Sequence, residues 1–136
     1  IRVVAPREDS PGEREERIRA AIHAWMKDTA LAESTALAAS HARRLGVRPS
    51  GVRLTSAKTR WGSCSRSGVV RVHWRLVQAP PAVMDYIVAH EVAHLAVPNH
   101  SPAFWRTVAR LVPDVRERKA LLRKWERDQL IEGRDL

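Results

Sequence analysis

The pattern His90-Glu91-x-x-His94 lies inside an apolar stretch that runs from Val88 to Leu95. Residues four apart share one face of an α-helix, so the stretch predicts a helix that points two imidazole rings in the same direction. Two imidazoles at this spacing can share one Zn²⁺ ion. Glu91, beside the first histidine, can then reach a water molecule at the metal and act as a general base.

His100 follows His94 by six residues, and in an uninterrupted helix it would point about 120° away from the His94 direction. A third ligand at this position requires the chain to turn back after the helix. Pro98 ends the helix, and Asn99 can adopt the left-handed backbone conformation that turns the chain. We therefore expect His100 to reach the metal from a loop and to leave a fourth position for water, as in catalytic zinc sites.

Other interpretations of the site stay open. Glu117 is the downstream carboxylate that could replace the third histidine, although a capping role already explains it. Cys64 could be a fourth ligand that keeps the site latent, or a small buried residue. The metzincin pattern H-E-x-x-H-x-x-G-x-x-H has the same ligand spacing, but Val97 replaces its glycine and no methionine follows Met84. His100 could also be an exposed loop residue, and the motif a buried helix that carries two histidines by chance.

Length and composition are typical of one globular domain. The chain has 136 residues, of which 44% are hydrophobic, so residues 1–136 are interpreted as a single domain with one core. No apolar run approaches the roughly 20 residues of a membrane span. Cys64 is the only cysteine, which excludes an intrachain disulfide and fits a reducing cytoplasm.

The formal net charge is +9, and 20 arginines and 4 lysines carry the positive charge. A basic surface can serve nucleic acid or an acidic substrate. The arginines are scattered along the whole chain and form no basic tract. We therefore expect weak DNA binding through the basic surface.

A long helix is predicted from about Pro11 to Leu45. Ser10 is suited to the N-cap, Glu13 follows three residues later, and Gly46 is a good C-terminal stop. Apolar residues recur along this segment at mostly helical spacing: Ile18, Ile22, Trp25, Met26, Leu31, Leu37, Ala38 and Leu45.

The hydrophobic period then changes from that of a helix to that of a strand. Alternation over residues 52–56 predicts one strand, residues 61–64 a second, and the clear alternation from Val70 to Leu76 a third. Residues 65–68 form a turn that ends in Gly68. We expect a small, mainly antiparallel sheet.

Three helices are predicted after the sheet. The first, from about Pro81 to Val97, carries the histidine pair. The second starts at Ser101-Pro102 and presents Phe104, Val108, Leu111 and Val112 as its apolar stripe. The third follows the capping pair Asp114 and Glu117. The predicted fold class is α+β, with a long N-terminal helix, a small sheet, an active-site helix and two C-terminal helices.

Several motifs extend the histidine pattern in a fixed order. They are Thr59-Arg60-Trp61-Gly62-Ser63-Cys64-Ser65, Trp74-Arg75-Leu76, Ala79-Pro80, Asp85-Tyr86, His90-Glu91-x-x-His94 and Asn99-His100-Ser101-x-x-Phe104-Trp105. From about Leu45 to Trp125, the chain resembles the YgjP-like family of zinc metallopeptidases, which are relatives of the SprT-type proteases. The resemblance implies His90, His94 and His100 as zinc ligands, Glu91 as catalytic base, and a sheet beside the active-site helix.

Two positions depart from the family's pattern. His73 stands where the family often has Asn, and Val115 stands where an aromatic residue often follows Pro113-Asp114. Relatives usually carry an additional N-terminal β region. Residues 1–10 are therefore interpreted as a remnant of that region, with Ile1 to Ala5 as its last strand.

Trp61, Gly62 and Ser63 are candidate substrate-binding residues. A strand on the rim of a zinc cleft can pair with an extended substrate through main-chain hydrogen bonds, and Gly62 would permit a close backbone approach. The alternative is a packed hairpin with Trp61 in the core. The pattern does not identify the oxyanion stabiliser, for which three side chains stay open: Tyr86, His73 and Arg75.

The sequence thus predicts a cytoplasmic zinc metalloendopeptidase with one Zn²⁺ per chain, which acts on peptides or unfolded protein. Glu91 would take a proton from the attacking water and pass it to the leaving amine. Two alternatives stay open. One is a DNA-associated, SprT-like protease or nucleic-acid-binding zinc module, and the other is a zinc protein without turnover.

Overall fold

The computed structural model describes residues 10–131, apart from the side chains of residues 130 and 131. In chain order its elements are helix α1 (Pro11–Leu45), strands β1 (Gly51–Thr55), β2 (Gly62–Cys64) and β3 (Val69–His73), a 3₁₀ turn η1 (Trp74–Gln78), and helices α2 (Pro81–Ala96), α3 (Pro102–Leu111) and α4 (Val115–Ile131). The predicted α+β class and order of elements are confirmed. The strand expected from Ile1 to Ala5 lies outside the described residues.

Local signals determine both ends of α1. The Ser10 hydroxyl oxygen accepts a hydrogen bond from the Glu13 N–H at 3.2 Å, and so satisfies one of the free donors of the first turn. At the other end Gly46 adopts φ 71°, and its N–H donates to the carbonyl groups of Ala42 and Arg43. This left-handed cap favours glycine, because a side chain there would be strained.

The apolar stripe expected along α1 is only half correct. Ile18, Ile22, Trp25 and Leu31 are 55%, 51%, 64% and 41% exposed, whereas the buried residues begin at Met26. They continue at roughly four-residue spacing through Ala30, Ser34, Ala38, His41 and Ala42. The helix packs on α2, η1 and β1. Its first turns therefore extend beyond the core, although their residue pattern is the same as in the buried half.

The sheet is mixed rather than mainly antiparallel. Its strand order is β1-β3-β2: β3 pairs parallel with β1 and antiparallel with β2. The antiparallel pair at the Gly68 turn is confirmed, and each strand runs opposite to the one before it in the chain. However, β3 inserts between the other two and so lies parallel to β1. Val70 and Val72 of β3 are fully buried, which explains why this strand takes the centre.

The third strand ends earlier than the alternation predicted. It stops at His73, and Trp74–Gln78 forms η1. The His73 Nδ1 accepts a hydrogen bond from the Arg75 N–H at 3.1 Å and thereby caps the turn. Trp74 and Leu76 are buried in this conformation as well. The alternation of apolar residues in the sequence therefore fits the 3₁₀ turn as well as a longer strand.

Helix α2 lies at the centre of the molecule and contacts α1, α3, α4, β2 and β3. The apolar stripe predicted for the next helix is confirmed, because Phe104, Val108, Leu111 and Val112 are all buried. Within residues 10–131, no helix combines the length and the apolarity needed to cross a bilayer.

An ionic network around Asp85 joins α2 to two neighbouring helices. Asp85 Oδ1 lies 2.6 Å from Nε2 of His41 on α1, and its Oδ2 accepts from Nη1 of Arg118 on α4 at 2.8 Å. Burial acts to raise the pKa of Asp85, but the hydrogen bonds from His41 and Arg118 outweigh it and lower the pKa. The same Arg118 nitrogen also donates to the Ala82 carbonyl at 3.1 Å. The network thus holds the helix of the histidine pair against α1 and α4.

Candidate metal centre

Helix α2 presents the pair His90 and His94 from consecutive turns, as predicted. Their ring centroids are 5.1 Å apart, and both rings are half-buried. Glu91 is 7% exposed, and its Oε2 lies 3.2 Å from His90 Nδ1. The helix therefore carries two metal-ligand donors and one carboxylate at the same place on its surface.

His100 joins this pair from the loop between α2 and α3. The left-handed conformation expected at Asn99 is wrong, because no non-glycine residue in the described part of the chain has positive φ. The helix ends at Ala96, and Val97 after it is extended (φ −134°, ψ 103°). The Asn99 side-chain oxygen accepts from the Ser101 N–H at 3.2 Å, so a side chain rather than a strained backbone stabilises the turn.

The three histidines form a cluster that could hold a metal. One ring nitrogen from each lies within 4.8 Å of the others. His94 Nε2 and His100 Nε2 are 3.2 Å apart. Two nitrogens bound at about 2.0–2.1 Å to one tetrahedral ion would be about 3.3–3.4 Å apart. The observed separation therefore fits a shared ion.

The surroundings of His94 favour the neutral form that a metal ligand needs. Its Nδ1 lies 3.1 Å from the Val97 carbonyl oxygen, which can only accept, so Nδ1 carries the proton and Nε2 keeps its lone pair. Burial lowers the pKa of His94, opposed by this hydrogen bond. Phe104 stacks on the ring at a centroid distance of 4.3 Å and restricts its orientation.

Among the described residues, neither of the alternative ligands belongs to this cluster. Glu117 borders a different depression, beside Trp105 and Lys119. Cys64 lines the same cleft as the histidines, but burial and the charge of Glu91 raise the pKa of its thiol. A raised pKa disfavours the thiolate, which is the form that binds metals and attacks carbonyl groups.

The cluster opens into a cleft of about 870 Å³. Helix α2 and the loop of His100 form one wall, and the segment from Arg60 to Arg66, which includes β2, forms the other. A cleft of this volume is in the range of small-molecule and peptide-binding sites. The two walls bring β2 against the helix that carries Glu91.

Gly62 permits the close approach of these two walls. A Cβ atom built on Gly62 would lie 3.0 Å from Ile87 Cγ2, 3.1 Å from the Arg71 carbonyl oxygen and 3.1 Å from Glu91 Cγ. Carbon atoms in contact are normally about 3.5–4.0 Å apart. The absent side chain therefore lets β2 pack directly on the aliphatic part of the Glu91 side chain. The sequence pattern related Gly62 only to the approach of a substrate.

Within residues 10–131, the outer edge of β2 carries unpaired backbone groups. The Trp61 carbonyl accepts from the His73 N–H at 2.7 Å, and the Ser65 N–H donates to the Val69 carbonyl at 3.0 Å. Antiparallel bonding alternates along a strand, so Ser63 also faces β3, while the N–H and C=O groups of Gly62 and Cys64 face away from it. The free edge therefore belongs to Gly62 and Cys64.

Trp61 and the three open candidates for oxyanion stabilisation lie outside the lining of this cleft. The Trp61 ring packs on His73 and on Trp125, at centroid distances of 5.1 and 4.9 Å, as in the alternative of a packed hairpin. His73 is buried, and Arg75 lies over Trp74. Tyr86 is 5% exposed, and burial together with the charge of Glu91 raises its pKa to about 12.

Sequence reasoning missed three parts of the site. The Val97 carbonyl that orients His94 is a backbone group, and no residue pattern marks it. Phe104 was assigned to a core stripe, and that assignment is correct, but its ring also packs on the histidines. Arg60 and Arg66 line the cleft; Arg60 lies in a motif that the sequence had singled out without a role for its charge, whereas nothing separated Arg66 from the other arginines of the chain.

Comparisons with known proteins concern the family of the chain and its fold. The model of the YgjP-like family, for its metallopeptidase domain, matches residues 2–125. The fold is similar to that of the metallopeptidase zymogen of Pyrococcus abyssi abylysin, with 24% identity, a TM-score of 0.58, and coverage of 76% of this chain and 98% of that one. It is also similar to the zymogen of Methanocaldococcus jannaschii jannalysin, with 16% identity, a TM-score of 0.59, and coverage of 67% and 94%. No curated protein sequence matches the chain.

Proposed function

This chain belongs to the YgjP-like family of metallopeptidases, and on that premise we propose that it is a zinc-dependent endopeptidase in which His90, His94 and His100 hold one Zn²⁺ and Glu91 is the general base. The observation that carries the proposal is the cluster of three histidine nitrogens within 4.8 Å, in a cleft that Glu91 also lines. The class of donor supports zinc, because neutral imidazole is a common zinc ligand.

A set of three protein ligands would distinguish this proposed centre from a structural zinc site. Structural sites are usually closed by four protein ligands, whereas catalytic sites keep one position open. Neither Cys64 nor Glu117 belongs to the cluster of ring nitrogens among the described residues, which supports a set of three. When bound, Zn²⁺ acts as a Lewis acid that activates water and polarises a substrate carbonyl.

Glu91 manages the proton in this mechanism. Its carboxylate takes a proton from the attacking water and then donates it to the nitrogen of the leaving amine, so that the peptide C–N bond breaks without release of an amide anion. The contact with His90 and the packing against Gly62 limit the positions that the Glu91 side chain can adopt. Such positioning is a large part of catalysis by general bases.

The free edge of β2 would bind the substrate. An extended peptide can add to this edge through hydrogen bonds with the N–H and C=O groups of Gly62 and Cys64. Of the other residues in the substrate-binding prediction, Ser63 also lines the cleft, whereas Trp61 would support the strand through its packing on His73 and Trp125. A peptide that must be extended to bind is most available in unfolded protein.

Glu91→Gln tests the mechanism, with Glu117→Gln as the matched control. Glutamine cannot accept the proton, so hydrolysis of a labelled unfolded protein should fall by about 10²–10⁴-fold, while zinc content by elemental analysis stays at about one ion per chain. Glu117→Gln should keep both properties. Hydrolysis by Glu91→Gln at the wild-type rate would contradict the mechanism. A wild-type chain that binds zinc but cleaves none of the substrates would support the zinc protein without turnover.

A further inference from the structure

Two arginines lie at opposite ends of β2 and line the same cleft as the histidines. Arg60 comes two residues before the strand, and Arg66 lies in the turn that follows it. Both side chains are exposed. Within the described part of the chain, neither guanidinium makes a hydrogen bond or an ion pair. Other arginines have structural partners: Arg44 donates to two carbonyl groups on α3, and Arg118 binds Asp85.

The cleft is otherwise poor in negative charge. Glu91 is the only carboxylate among the residues that line it, and the proposed metal would add two positive charges. Arg60 also borders a smaller depression with Glu126, but the two side chains are not within ion-pair distance. A concave surface lined by one sign of charge focuses its field and concentrates ligands of the opposite sign.

We propose that Arg60 and Arg66 select peptide substrates with Asp or Glu on both sides of the scissile bond. This inference rests on the proposed function, since it places the scissile bond near Glu91. An extended peptide along Gly62 and Cys64 would pass one arginine on each side, about two or three residues from that bond at roughly 3.3 Å per residue. A guanidinium can bind a carboxylate through two parallel hydrogen bonds, which lysine cannot do.

The test compares three peptides that differ only at positions flanking a common cleavage site, with Glu, Gln or Lys at those positions. An exposed ion pair contributes at most about fivefold to binding. With two arginines, kcat/KM should be about tenfold higher for the Glu peptide than for the Lys peptide. The preference should shrink in R60E and in R66E, and should reverse in the double variant. The matched control is R53E: Arg53 is exposed on the opposite edge strand, away from the cleft.

A binding measurement separates this proposal from the proposed function. Fluorescence anisotropy of the labelled peptides with E91Q reports charge selection without any turnover. E91Q should bind the Glu peptide more tightly than the Lys peptide, and this preference should be lost when R60E and R66E are added to E91Q. That result would support charge selection even if the wild type cleaves no peptide. Equal binding and cleavage of all three peptides would overturn it. An R53E effect as large as that of R66E would also overturn it, because net charge alone would then explain the preference.

A single-stranded oligonucleotide is the competing anion in the same assay. It should fail to displace the Glu peptide at about 0.15 M salt, because counterion release weakens nucleic-acid binding steeply as salt rises. Displacement at that salt which depends on Arg60 and Arg66 would overturn the proposal and assign the two arginines to nucleic acid.

Discussion

Gly62→Ala should damage both the stability and the activity of the molecule, because it adds one methyl group between β2 and α2. The new Cβ would lie 3.0–3.1 Å from three atoms, of which the Arg71 carbonyl belongs to the backbone of the central strand. Restoring ordinary contacts requires β2 to move by about 0.5 Å from α2 and to shift against the Arg71 carbonyl of β3, or the side chains of Ile87 and Glu91 to move. Overpacking of this kind costs about 1–3 kcal/mol of the free energy of unfolding. Because Glu91 Cγ is one of the crowded atoms, kcat should fall by about 10–100-fold, since small displacements of a catalytic group have large effects on rate.

The assay pairs urea unfolding with peptide hydrolysis at saturating zinc. Gly51→Ala is the matched control, since it also adds a methyl group to a strand glycine of this sheet, but its Cβ meets nothing within 4 Å. It should change the free energy of unfolding by less than about 0.5 kcal/mol and leave the rate unchanged. If Gly62→Ala unfolds and hydrolyses like the wild type, β2 does not pack on Glu91 as described here.

Three further predictions concern the metal, the ionic network and DNA. His100→Ala should weaken zinc binding in a competitive chelator titration, whereas Glu117→Ala should not; the reverse would make Glu117 the third ligand. Asp85→Asn should lower the free energy of unfolding at pH 7 by about 1–3 kcal/mol, because it weakens the contacts with His41 and Arg118. The pKa of Asp85 is lowered in the folded chain, so this stabilisation is complete above the ordinary Asp pKa near 4 and is lost as pH falls through the lower folded pKa. The free energies of unfolding of the wild type and the variant should therefore converge at low pH. A difference that stays constant with pH would contradict this prediction. DNA binding should be weak at low salt and largely gone at about 0.15 M, because the logarithm of the binding constant falls against the logarithm of the salt concentration with a slope of about −0.9 per phosphate contacted. The peptidase rate should not change when DNA is added. Tight DNA binding at about 0.15 M salt, or hydrolysis only with DNA, would favour the DNA-associated protease.

Local chemistry explains which parts of the fold could be predicted from the sequence. The cap at Ser10, the stop at Gly46 and the break after α2 depend on residues within a few positions of each other, and these elements were predicted within a few residues. The histidine pair was predictable for the same reason, because four-residue spacing on a helix is itself geometry.

The features that could not be predicted depend on contacts between distant parts of the chain. The position of β3 between β1 and β2 depends on which strand buries its side chains, not on the turn sequences. The exposure of Trp25 depends on where the core ends beneath α1. The close contacts at Gly62 are made with α2 and with the neighbouring strand β3. The glycine in the sequence indicated a close backbone approach at this position, but not which elements make it.

The central claim is that His90, His94 and His100 bind one zinc ion and leave a position open for water. Zinc-edge X-ray absorption of the zinc-loaded protein measures the ligands directly. We expect one zinc per chain, three imidazole ligands at about 2.0–2.1 Å, one further oxygen neighbour from water, and no sulfur at about 2.3 Å. A sulfur ligand would indicate that Cys64 closes the site, and a chain that takes up no zinc would contradict the account as a whole.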